Sequence, residues 1–163
     1  MPLPAAAYRL IGRFSTSHFD RWLHPLLYRL TGGRGPLGHA LGSQMLLLTT
    51  RGRRSGRQRT VALFAFPVAS PAGSWAVIGS RGGSREIPAW YRNLEAGPAA
   101  TIQVREQVSS VNAREVFDAE YEAIFERAAA IYPGYRLYRA ASPVHIPIVV
   151  LQPGDDSAAG RDG

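Results

Sequence analysis

A β-barrel with flanking helices is the fold class this sequence predicts, and three observations predict it. Five or six short apolar or alternating runs follow one another between residues 45 and 152. Clusters of Gly, Pro and Ser separate them and read as turns. The helical patterns come late in the chain, with one more ahead of the first strand, so the class is mainly β within α+β.

The elements follow in order. Tyr8, Ile11, Phe19, Trp22, Leu23, Leu26, Leu27 and Leu30 recur at helical spacing, with Arg9, Arg13, Arg21 and Arg29 between them. Pro25 and the polar 15–17 stretch interrupt that run, and Gly32, Gly33, Gly35 and Gly38 make a connection. Met45 to Thr50, Arg59 to Phe66 and Trp75 to Ser80 read as strands, the first two joined by the turn GRRSG. Pro88 opens a short helix that Gly97 and Pro98 stop. Thr101 to Arg105 and part of Val108 to Val116 alternate as strands. Asp118 is the expected N-cap of a helix that carries Tyr121, Ile124, Phe125, Ala128, Ile131 and Tyr132 on one face. Pro133 and Gly134 read as its end, and His145 to Gln152 as the closing strand. The expected organisation is an N-terminal helical segment over 1–38, a barrel domain over 39–153 and a disordered tail over 154–163.

Composition narrows the chemistry. The chain has 163 residues, enough for one domain with a hydrophobic core, and 45% of them are hydrophobic. No cysteine is present, which excludes disulfides, thiolate catalysis and cysteine-held metal. The start lacks the apolar core of a signal peptide, and the uncharged stretch from Thr60 to Ser80 is broken by Pro67, Pro71 and Gly73. A cytoplasmic location is therefore expected. The net charge of +7 is uneven: residues 1–92 hold 13 Arg against 2 acidic residues (+11), and residues 93–163 hold 6 Arg against 10 (−4). A local excess of this kind implies an anionic partner.

Three segments could carry chemistry. In TTRGRRSGRQRT, residues 49–60, Arg51, Arg53, Arg54, Arg57 and Arg59 crowd a glycine-flanked turn. Guanidinium forks there suit phosphate or carboxylate, and the plain alternative is a solvated hairpin tip. No helix offers itself to a groove and no aromatic platform is interleaved, so nucleic acid is not the expected partner. In SRGGSREIPAWYRNL, residues 80–94, a Gly-rich loop with Arg81 and Arg85 runs into a helix bearing Trp90 and Tyr91, which suits an anion or a ring edge. Packing is the equal alternative for Trp90. In YPGYRLYR, residues 132–139, Tyr132, Tyr135 and Tyr138 recur every third position, as a lid over a flat ring or as a satellite of the core. His18, His24, His39 and His145 have no metal-ligand spacing, and no nucleophile elbow or P-loop appears. If the protein is an enzyme, a cofactor supplies the chemistry.

Taken together, LLLTTRGRRSGRQRTVAL, SRGGSREIPAWYRNLEAGP, IYPGYRLY and IPIVVLQP resemble, in order and spacing, the deazaflavin (coenzyme F420)-dependent nitroreductase family of actinobacteria. The resemblance covers about residues 40–153. It implies a split β-barrel akin to FMN-binding proteins, a homodimer, and hydride transfer from the reduced coenzyme to a quinone or nitroaromatic acceptor. It places Arg53, Arg54, Ser55, Arg59, Thr60 and Val61 on the coenzyme's phosphate and oligoglutamate tail. Leu63 and Phe64 would line the ring pocket, and Gly79, Ser80 and Arg81 would touch the ring or its side chain. Ala89, Trp90, Tyr91 and Asn93 would form another wall, with Tyr135 closing over the reactive face. Ser80 and Tyr135 are the candidate donors to the acceptor, with Tyr132 in reserve. Arg54 and Arg81 stand where the family often has Lys, Phe64 where some members have Tyr, Ile87 where Asn is common, and His145 where Arg is frequent. These departures bear on the acceptor more than on the coenzyme. The rival expectations are an FMN-binding split barrel, and a basic module that binds membrane or nucleic acid without a coenzyme. An interfacial N-terminal helix meeting a lipid-soluble quinone is a further expectation, beside a helix that packs on the barrel.

Overall fold

Residues 44–154 are described in a computed structural model of the chain. They form β1 (Gln44–Arg51), β2 (Gln58–Val68), β3 (Ser74–Ile78), α1 (Ala89–Ala96), β4 (Ala99–Val104), β5 (Gln107–Glu115), α2 (Asp118–Ile131), α3 (Gly134–Ala141) and β6 (Ile148–Pro153). The strands close an antiparallel barrel in the order β1-β2-β3-β6-β5-β4, with β4 returning to β1 through Leu47, Leu48 and Thr49. The expected N-terminal helix and the tail after 154 lie outside the described residues.

The period of two along each strand sorts side chains between two cores. Leu46, Leu48, Ala65, Val77, Ile102, Val111, Val149 and Leu151 fill the barrel, and Trp90, Tyr91 and Leu94 of α1 pack onto that cluster. Phe66, Ala76, Ile78, Ile148 and Val150 face outward and meet the apolar faces of α2 and α3. β2, β3 and β6 are thus buried on both faces, while β5 keeps Ser110, Asn112 and Arg114 exposed outside; on those three strands a slip of one residue would exchange the two cores.

The structure corrects three expectations. The strand read as ending at Ser80 stops at Ile78, because Ser80 turns into a single helical turn over Arg81–Gly83. Phe117, not Asp118, caps α2; Asp118 is its first residue and carries a left-handed φ of 50°. The abrupt exit from β5 needs that conformation, which Asp tolerates better than most residues. Pro133 and Gly134 do end α2, yet the chain resumes at once as α3, with Pro133 in the N-cap position. Proline fits a helix start because the first N–H groups have no partner there. A Cβ on Gly134 would come within 2.5 Å of the Tyr132 ring, so only glycine allows this tight passage.

Candidate functional site

The registers Arg51↔Gln58, Ile78↔Ile148, Glu115↔Val149 and Ala99↔Asn112 put one set of connections at one end of the barrel. That end gathers the 52–57 turn, the 79–88 loop, α1, and the 142–147 segment leading to β6. Three segments that are distant in sequence become neighbours here.

The 52–57 turn is tight. Gly52 N–H donates to Arg57 O at 2.8 Å and Gly56 N–H to Gly52 O at 2.7 Å. Arg51, Arg53, Arg54, Ser55, Arg57 and Arg59 are all exposed. None of these five arginines is paired with a carboxylate among the described residues. Asn93 fixes the turn from below: its Nδ2 donates to Thr50 Oγ1 at 3.0 Å, and its Oδ1 accepts from Arg53 N at 3.2 Å. Asn93 therefore ties α1 to the base of the hairpin. Beyond the turn, Thr60 Oγ1 lies 2.8 Å from Thr49 Oγ1. Strand alternation then separates the expected ring-pocket pair. Val61 and Leu63 pack with the barrel interior, and Phe64 packs on the outer side with Met45 and Leu47, its ring 6.3 Å from Tyr132. Leu63 and Phe64 do not share a face.

The 79–88 loop is held at both ends. Gly79 N–H donates to Pro147 O at 2.8 Å, and a Cβ there would come 2.8 Å from Pro147 Cγ, so the proline ring leaves no room for a side chain at this position. Ser80 is buried, and its hydroxyl has no hydrogen-bond partner among the described residues. Arg81 has a left-handed φ of 42° and pairs with Glu86. Gly83 packs against the backbone of Tyr138 in α3. In α1, Ala89 is exposed, whereas Trp90 and Tyr91 are buried and meet edge to face, their centroids 6.2 Å apart. Trp90 packs with the barrel cluster.

The three tyrosines form one cluster. Tyr132 and Tyr138 hydroxyls lie 2.7 Å apart, and the Tyr135 ring meets Tyr132 and Tyr138 edge to face at 5.3 and 6.3 Å. Phe66 adds a further edge at 5.9 Å. Tyr135 is 4% exposed and packs within the cluster. Burial, and then Tyr138, push its phenol well above the ordinary tyrosine value, so it stays protonated as a donor must.

Sequence reasoning missed two polar features of this end. Thr50 anchors Asn93 from 43 positions away. Glu115 accepts from the Tyr91 hydroxyl at 2.6 Å and lies 3.2 Å from His145 Nε2. The signal for Glu115 was present in the alternation Val111, Ala113, Glu115, which puts an acid on the inward face of β5. An open groove of about 660 Å³ also runs along β1, β4 and β5, lined by Thr49, Arg51, Gln58, Thr101, Ser110 and Asn112. It borders the hairpin but not Ser80 or the tyrosines. No group of three or more metal-binding side chains occurs among the described residues, and no helix among them is long and apolar enough to cross a membrane.

Residues 23–153 match the model of the F420H(2)-dependent quinone reductases. The chain belongs to this family. It is accordingly an oxidoreductase, and coenzyme F420 is the family's cofactor. An F420H(2)-dependent quinone reductase of Mycobacterium tuberculosis strain H37Rv is 34% identical over 137 residues, spanning 79% of this chain and 87% of that protein. The solved structure of an F420-H2 dependent reductase, FDR-A, superposes with a TM-score of 0.60 at 31% identity, covering 66% of this chain and 93% of that one. A structure described as a domain-swapped dimer gives 0.62 at 30% identity, over 83% and 100% of the two chains. The haem storage protein HutZ of Vibrio cholerae, at 16% identity and a TM-score of 0.52, shares the fold alone.

The residues of this quinone reductase fit its coenzyme. A phosphate with an oligoglutamate tail needs several free cations, and the hairpin presents five arginines that meet no carboxylate among the described residues. A flat ring needs aromatic walls, and the tyrosine cluster and α1 flank the loop that carries Ser80. The bound coenzyme supplies a hydride. The protein's part is to hold and orient it, exclude water and place hydrogen-bond donors.

Proposed function

We propose that this chain passes a hydride from reduced coenzyme F420 to a quinone at the hairpin end of its barrel. The observation that carries this reading is the set of hairpin arginines that meet no carboxylate among the described residues, on a turn pinned by Asn93 to the helix that follows the Ser80 loop. In this reading Arg53, Arg54, Ser55, Arg59, Thr60 and Val61 hold the anionic tail, and Gly79, Ser80 and Arg81 border the ring. Ser80 and Tyr135 donate to the oxygen on which negative charge develops as the hydride arrives, with Tyr132 in reserve through its bond to Tyr138. Of the proposed ring-pocket pair, Phe64 stands on the tyrosine side and Leu63 supports from the interior. Nitroaromatic compounds are a second acceptor class that the same donors would serve. A homodimer is supported by the domain-swapped relative. Peripheral membrane contact rests on the sequence of residues 1–38 alone.

Absorbance and fluorescence titrations of the purified chain with F420 and with FMN test the reading, followed by turnover of the reduced coenzyme with a soluble quinone. Tight F420 binding, weak FMN binding and stoichiometric quinone reduction are expected. Equal affinity for the two coenzymes would overturn it, because one phosphate does not use five arginines.

A further inference from the structure

Glu115 is a carboxylate facing inward at the end of a barrel strand, with its side chain only 19% exposed. Such a placement is costly unless the charge is satisfied. Two side chains satisfy it. Tyr91 of α1 donates its hydroxyl to Oε2 at 2.6 Å, and His145 Nε2 lies 3.2 Å from Oε1. Burial first, and then this carboxylate, push the Tyr91 phenol well above its ordinary value, so it stays protonated.

His145 opens a short strut on which several parts of the site hang. Ile146 O accepts from the Tyr121 hydroxyl at 3.0 Å, Pro147 O accepts from Gly79 N–H at 2.8 Å, and Ile148 O accepts from Val116 N–H at 3.0 Å. The His145 ring is stacked on Phe117, with 14° between planes, and tilted against Tyr121 at 5.5 Å. The residue after Gly79 is Ser80. One carboxylate therefore grips both the helix carrying Trp90 and Tyr91 and the segment to which the Ser80 loop is bonded.

We propose that Glu115 is a positioning residue of the reductase site, acting through Tyr91 on α1 and through His145 on the 145–147 strut that holds Gly79 and Ser80. The inference rests on the reading that Ser80 and α1 border the coenzyme. It assigns Glu115 no contact with coenzyme or acceptor. Its role is to keep two walls of the site in one geometry, where a shift of a fraction of an ångström alters donor alignment.

The test uses the full chain and the variants E115A, E115Q and Y91F, together with the E115A/Y91F pair. E115A is expected to lower kcat about three- to tenfold, the scale of one lost hydrogen bond, while the coenzyme Kd set by the arginine hairpin changes less than about twofold. E115Q keeps a carbonyl acceptor for Tyr91 and restores most of the turnover. Y91F costs less in the E115A background than alone, because part of its effect is already gone. Apart from activity, the ¹³C-tyrosine NMR signal of Tyr91 in the coenzyme-free protein should move in E115A and its phenol should titrate at lower pH. An unchanged Tyr91 signal and unchanged kcat in a folded E115A would overturn the inference, as would an E115Q variant no better than E115A. A wild-type chain that bound no F420 would instead overturn the reductase reading itself.

Discussion

The β1–β2 hairpin and the α2–α3 face both carry several arginines, but they use them in opposite ways. On the helical face Arg136 pairs with Glu126 at 2.5 Å and Arg139 with Glu122 at 3.0 Å and Glu126 at 3.8 Å, Arg114 of β5 reaches Glu120 of α2 at 2.8 Å, and Arg127 donates to Pro67 O at 3.3 Å. Arg139 also lies 3.7 Å over the Phe125 ring. On the hairpin, Arg51, Arg53, Arg54, Arg57 and Arg59 meet no carboxylate among the described residues and crowd a short turn. The first arrangement neutralises charge within the fold. The second leaves its charge exposed on a tight turn that Asn93 pins, which is what the proposed site for an anionic coenzyme tail calls for.

The sharpest way to break this contrast is to remove hairpin charge. Arg54→Ala and Arg59→Ala should each weaken F420 binding by about tenfold or more, as expected for a lost charge-assisted contact, while the melting temperature holds. A parallel fall in melting temperature would make these arginines structural. Ionic strength gives the next largest effect. Coenzyme affinity measured by titration should fall steadily from low salt to 0.5 M, because exposed charges are screened over roughly 8–10 Å near physiological salt. Over the same range, thermal stability should move little.

On the other face, Arg139→Ala should leave Kd unchanged and lower stability by about 1 kcal/mol in urea unfolding, since it removes exposed ion pairs and a cation–π contact together. The smallest effect belongs to Arg114 and Glu120. Arg114 holds the Glu120 carboxyl below its usual value of 4.5, so the pair stabilises the fold above that pH and the gain is lost as pH falls through the lowered value. Both partners are largely exposed, so the E120Q variant should differ from the parent by at most about 0.5 kcal/mol at pH 7, and by less as the carboxyl is protonated in acid. A larger difference in urea melts would show that surface pairs on this face carry more of the fold than screening allows.

By itself the sequence determined the barrel, the arginine hairpin and the family. Apolar alternation sets which face of a strand is buried, Gly and Pro mark turns within a few residues of where they act, and the family's blocks are read in linear order. What crosses long separations was decided only in three dimensions. Asn93 meets Thr50 and Arg53, Glu115 joins Tyr91 to His145, and Gly79 yields space to Pro147, because barrel closure brings strand ends together that no local pattern relates. The same holds for α3. Locally, Pro133 and Gly134 are stop signals, but Tyr135 and Tyr138 gain enough burial against Phe66 and β6 for a helix to restart at once. Tertiary burial outweighs local propensity there, since a few tenths of a kcal/mol per residue of helix preference is small beside the roughly 1.5–3 kcal/mol gained by burying each large side chain.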